Sequence, residues 1–108
     1  HGAAIVAHIL NTPELREDWI AELNEMRERM NGLRRALAYA LDVQGHEKMG
    51  AALARQKGMF SMLPVTPEQA AKLRDEHSVY LLNSGRINIA GAAQNDIDRL
   101  AESILSVF

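Results

Sequence analysis

The chain contains no cysteine. That excludes a disulfide framework and a thiolate metal site, and it makes a reducing compartment, the cytoplasm, the default expectation. A surplus of positive charge is absent too: 12 Lys and Arg stand against 14 Asp and Glu, for a formal net charge of -2. Phosphate backbones require a basic excess, so nucleic acid is not an expected partner. No apolar run approaches the roughly 20 residues of a membrane span, and the first residues lack the charged-then-apolar order of a signal peptide. A soluble protein without a membrane partner is expected. Nor is there a Ser-His-Asp or Cys-His arrangement, a phosphate loop or a paired-carboxylate site. The histidines do not fill that gap. His1 and His8 could share a helical face, but two imidazoles without a nearby carboxylate or thiol form an incomplete zinc set, and no metal is expected. The chain also opens at His1 without an initiator Met, which suggests a piece cut from a longer polypeptide.

What is present is enough apolar material for one core. With 47% hydrophobic content over 108 residues, a single domain spanning residues 1–108 is expected. Residues 1–10 are apolar and suit a short separate helix, because Asn11, Thr12 and Pro13 interrupt the run. A long helix follows. Thr12 is positioned as its cap, Pro13 suits the first helical position and Glu14 favours the positive end of the dipole. Leu15, Trp19, Leu23, Met26, Met30, Leu33, Leu37 and Leu41 then recur at steps of three and four, an amphipathic stripe. Gly32 makes a bend possible there. Glu25 and Arg29 lie four apart beside the stripe and are expected to pair. Arg27, Arg29, Arg34 and Arg35 interleave with Glu22, Glu25 and Glu28, and that face reads as solvated.

After a broken stretch, Asp42 to Gly50, and a short helical turn near Leu53, Gly58 to Leu63 (GMFSML) reads as a strand ended by Pro64. Thr66-Pro67-Glu68-Gln69 is a second helix start with a capping box, and the helix runs to about His77. Val79 to Leu82 is rich in strand formers, Asn83-Ser84-Gly85 supplies turn residues, and Arg86 to Ala90 forms a returning strand. Asn95 with Asp98 caps a last helix, whose inner face is Ile97, Leu100, Ala101, Ile104, Leu105 and Phe108. The expected fold class is α/β (α+β): one long amphipathic helix and shorter helices packed on a small sheet of about three strands.

Among single residues, Arg86 carries the sharpest chemistry. It opens an alternating strand, Ile87-Asn88-Ile89, directly after a glycine, so packing of the apolar face would hold its guanidinium in one direction. A fixed guanidinium is a planar fork that grips a carboxylate with two hydrogen bonds. The spacing alone fits an ordinary arginine at a strand start as well. Phe60 in the upstream strand reads, from the strand alone, as a core aromatic.

The strings GMFS and SGRINIAG (Ser84 to Gly91), in this order with a helix between them, resemble the class I pyridoxal-phosphate aminotransferases of the aspartate and aromatic amino acid group. The likeness runs from the His1-Gly2 opening through NTPELREDW, QKGMFS, TPEQ and VYLLNSGRINIAG to the closing helix. It implies a C-terminal small domain that closes over substrate, with residues 1–11 as the junction to a large domain preceding His1. It also implies amino group transfer between an aromatic or acidic amino acid and a 2-oxo acid, in a homodimer carrying pyridoxal phosphate. Arg86 inherits the grip on the substrate α-carboxylate, and Phe60 a place near the pocket. None of Lys48, Lys57 and Lys72 matches the Schiff-base position, so the chain alone is expected to hold no cofactor, and no catalytic residue. The chain departs from the family pattern at Gly50-Ala51-Ala52, where an aromatic is usual, and at Met62-Leu63-Pro64, which bears on the pocket wall. A self-standing, non-catalytic interaction domain is the alternative.

Overall fold

A computed structural model describes all residues, 1–108. Five helices carry the architecture: α1 (Gly2–Asn11), α2 (Pro13–Val43), α3 (Glu47–Ala54), α4 (Pro67–His77) and α5 (Ile97–Leu105). Two three-residue strands, β1 (Phe60–Met62) and β2 (Arg86–Asn88), form an antiparallel pair with Phe60 opposite Asn88, Ser61 opposite Ile87 and Met62 opposite Arg86. The fold is therefore mostly helical with a two-stranded sheet, and the third expected strand is absent. Val79 to Leu82 is extended and alternates buried with exposed residues. Its N–H groups, however, find only one cross-link to the sheet, Leu82 N–H to the Arg86 carbonyl at 3.0 Å. Leu82 meets Arg86 only across the turn, which its carbonyl closes by accepting from Gly85 N–H at 2.8 Å.

The break between α1 and α2 comes from Pro13. It has no N–H to continue the first helix and drives the preceding Thr12 into extended backbone (φ -105, ψ 109). Thr12 does not cap α2 with its side chain, contrary to expectation; its carbonyl accepts from Arg16 N–H at 2.9 Å instead. The α4 start is as expected: Thr66 Oγ1 accepts from Gln69 N–H (3.2 Å) while Gln69 Oε1 accepts from Thr66 N–H (2.8 Å). The last helix begins at Ile97, after a 3-10 turn over Gln94–Asp96, and no side chain caps it.

At one end of the molecule, Leu33, Leu37 and Leu41 of α2 pack with Leu53, Leu73, Ile87, Ile89, Ile97 and Ile104 in a single buried cluster. Phe108, expected on the inner face of the last helix, is instead half exposed. The amphipathic stripe of α2 is only partly covered, because Leu15, Trp19, Leu23 and Met26 remain exposed, and α1 buries no residue. The molecule measures 51 × 28 × 22 Å.

Candidate functional site

The sheet gives the site two faces. Along both strands the burial alternates exposed, buried, exposed: Ser61 and Ile87 face the core, and Phe60, Met62, Arg86 and Asn88 face outward. Arg86 is thus delivered to the surface by the strand period, and the structure brings both expected site residues together. Its guanidinium carbon lies 4.8 Å from the centroid of the Phe60 ring, a cation–π contact across the diagonal of the ladder. Phe60 is half exposed and not a core aromatic. Around the pair lies a depression of about 300 Å³ lined by Phe60, Tyr80, Leu81, Leu82, Arg86 and Asn88.

The direction of Arg86 is set one residue earlier. Gly85 has φ +87, and a Cβ there would fall 2.2 Å from the Leu63 carbonyl oxygen. Only glycine accepts both conditions. The Gly85 carbonyl in turn receives Leu63 N–H at 2.9 Å, which fastens the start of β2 to the end of β1. Asn88 works on its own backbone: its Oδ1 accepts from Ala90 N–H at 3.1 Å and starts the 3-10 turn Ile89–Gly91.

The chain's ion pairs are Lys72 with Glu76, Arg74 with Asp75 and Arg99 with Asp96. Arg86 belongs to none of them, and its side chain makes no hydrogen bond within the chain. Its guanidinium therefore stands beside an aromatic ring and apolar walls with its N–H donors unused by the chain.

Three supporting side chains escaped the sequence reading. Arg34, placed there on a solvated face, is only 2% exposed and hydrogen bonds to Ser61 Oγ at 3.1 Å. The clue was available, since Arg34, Leu37, Ala38 and Leu41 share one helical face. Arg29 does not pair with Glu25; it donates to the Ala90 and Ala92 carbonyls, both at 3.2 Å, tying α2 to the turn that follows β2. Gln56 clips the free edge of β1, its amide accepting from Met62 N–H (2.6 Å) and donating to the Met62 carbonyl (3.0 Å). No local pattern announces either of these ties.

Residues 1–104 match the family model for aminotransferases of class I and II. The chain belongs to that family. It is 49% identical over 107 residues to the tyrosine aminotransferase of Rhizobium meliloti and 42% identical over 107 residues to the aspartate aminotransferase of Haemophilus influenzae. In each case the match takes in 99% of this chain and 27% of the relative. The chain thus spans about a quarter of the length of these aminotransferases. Among solved structures, the aromatic-amino-acid aminotransferase of Burkholderia pseudomallei, covalently bound to pyridoxal phosphate, superposes with a TM-score of 0.90 at 39% identity. That superposition covers 99% of this chain and 27% of the other.

The residues of this aminotransferase segment do not by themselves fit that cofactor. Lys48, Lys57 and Lys72 are exposed, none lines the depression beside Arg86, and Lys72 is engaged with Glu76 at 4.0 Å.

Proposed function

We propose that the parent protein is a pyridoxal-phosphate-dependent aminotransferase, moving an amino group between an aromatic or acidic amino acid and a 2-oxo acid. Residues 1–108 are its small, substrate-closing domain, and residues 1–11 form the junction to a large domain. The lysine that holds the cofactor lies outside this chain, and the bound cofactor supplies the electron sink for the transfer. A homodimer working in the cytoplasm belongs to the same reading. The family match and the names of the relatives support the aminotransferase activity, while the homodimer and the cytoplasm rest on the resemblance of the sequence strings alone.

The chain's own contribution is binding. Amino acids and 2-oxo acids share an α-carboxylate whatever their side chains, so one fixed fork serves both halves of the exchange. Arg86 provides that fork, with Phe60 beside it shielding one face from water. Closure of the domain would expel solvent and strengthen the ion pair. The observation that carries this role is the outward-facing Arg86 guanidinium, free of any hydrogen-bond or ion-pair partner within the chain.

The experiment is Arg86→Lys in the full-length parent. The charge survives and the fork does not. Hydrogen bonds to charged groups contribute roughly 1.5–3 kcal/mol each, so losing one or two should lower kcat/KM by about 10- to 25,000-fold for every amino and 2-oxo acid. Near-wild-type kcat/KM for all substrates would remove Arg86 from the role.

A further inference from the structure

We propose that Arg34 is a positioning residue for the Arg86 clamp: from the buried side of the sheet it locks β1, and through β1 it sets where Phe60 and Arg86 stand. This rests on the carboxylate-binding role of Arg86 given above.

Arg34 grips the sheet at its centre. Its Nε donates to Ser61 Oγ at 3.1 Å, one terminal nitrogen donates to the Gly58 carbonyl, and the other donates to Asn31 Oδ1 at 3.0 Å. Ser61 is the middle residue of β1, 1% exposed and paired with Ile87. The guanidinium therefore acts on the buried face directly between Phe60 and Met62, whose side chains stand on the other. Gly58, at φ +85, turns the chain just before the strand so that its carbonyl reaches the same fork. Two strands of three residues form a marginal sheet by themselves. An anchor from α2 is what such a pair needs in order to hold one geometry.

The chemistry argues against simple space filling. Arg34 has no carboxylate partner, since none of the three ion pairs includes it. Burial draws its pKa below the ordinary arginine value. An unpaired buried cation is costly, and apolar residues of similar volume often replace buried charges without loss. The distinctive capacity of arginine here is to reach oxygens on the loop, on the strand and on its own helix at once, which a single lysine nitrogen cannot do. Arg86 has no side-chain hydrogen bond of its own. Its place is set by the β2 backbone and by the Phe60 ring at 4.8 Å, and both belong to the ladder that Arg34 fastens.

The test is a double-mutant cycle in the full-length parent: Arg34→Lys and Arg34→Met, each alone and combined with Arg86→Lys. Either Arg34 substitution should raise KM for both amino acid and 2-oxo acid about tenfold with kcat within about threefold, while in the Arg86→Lys background the further rise stays below about twofold. A merely structural Arg34 would lower the melting temperature and the amount of active enzyme while leaving KM of the folded fraction untouched, and that result overturns the proposal. So does a KM effect that persists in full beside Arg86→Lys. Should Arg86→Lys alone leave kcat/KM near wild type for all substrates, the clamp itself is refuted and this proposal falls with it. If neither Arg34 variant folds, Ser61→Ala removes one partner oxygen and keeps the cation; it should raise KM about threefold, and an unchanged KM would count against Arg34.

Discussion

Replacing Gly85 with alanine tests how Arg86 is aimed. The backbone there sits at φ +87, and the new Cβ would fall 2.2 Å from the Leu63 carbonyl oxygen and 3.3 Å from Val65 Cγ2. A non-glycine residue at positive φ costs about 1–2 kcal/mol. The clash falls on backbone and not on a flexible side-chain tip, so the strands must part. That would break the Leu63 N–H to Gly85 carbonyl bond of 2.9 Å, for about another 1 kcal/mol. The sum, about 2–3 kcal/mol, is local to the pairing of β1 with β2. Native-state hydrogen exchange on the full-length parent reads such a loss directly: protection of the Leu63 and Ile87 amides should fall by about 30- to 160-fold, one decade for each 1.36 kcal/mol. KM for both substrates should rise as Arg86 shifts. Gly91→Ala is the control, because Gly91 has no positive φ and its Cβ would meet nothing within 4 Å. Unchanged protection in Gly85→Ala, or an equal loss in Gly91→Ala, would refute the reasoning.

Phe60→Leu removes the ring beside the guanidinium, and because exposed cation–π contacts contribute about 0.5–1 kcal/mol, KM for both substrates should rise about two- to fivefold; steady-state kinetics showing no rise would make the ring a bystander. The Glu68 carboxyl in the first turn of α4 is held below the usual carboxylate range, by its backbone hydrogen bond first and the Thr66 hydroxyl second. A depressed folded-state pKa adds stability that is present above the unfolded-state pKa and disappears as pH falls through the folded-state value. Glu68→Gln should therefore flatten part of the stability loss on acidification below about pH 5, and denaturant titrations giving identical slopes for both proteins would contradict this.

Much of the helical frame could be read from punctuation. Pro13 and the Thr66-Pro67-Gln69 group fix helix starts by removing or satisfying backbone N–H groups, effects that act within four residues and so show in a local string. The Arg86 and Phe60 pairing was half legible. Strand alternation puts Arg86 outward, but the contact with Phe60 depends on a register that no local pattern specifies. The expected third strand at Val79 to Leu82 illustrates the same limit, since residue preference signals an extended backbone and cannot supply a partner for it. Arg34 was misread because charge was taken as a sign of solvent, whereas Arg29 is exposed as expected but bonds to the Ala90 and Ala92 carbonyls and not to Glu25. Both reach across the fold to oxygens brought near by tertiary packing, 24 to 63 residues away in sequence.

The unequal coverage of α2 has a mechanical consequence. Its 31 residues make a rod of about 46 Å at 1.5 Å per residue, with the end from Leu33 onward embedded in the core and the end around Trp19 outside it. Leu37 lies about 27 Å along the axis from Trp19. With the outer half seated on another body, a rotation of about 10° about that seat would carry the core end through about 5 Å, an amplitude of the kind hinge closures use. Arg29 and Arg34 bolt the Ala90–Ala92 turn and β1 to the swinging half of the rod. The carboxylate fork would then travel with the helix as one piece, and its stroke would be set by the length of α2.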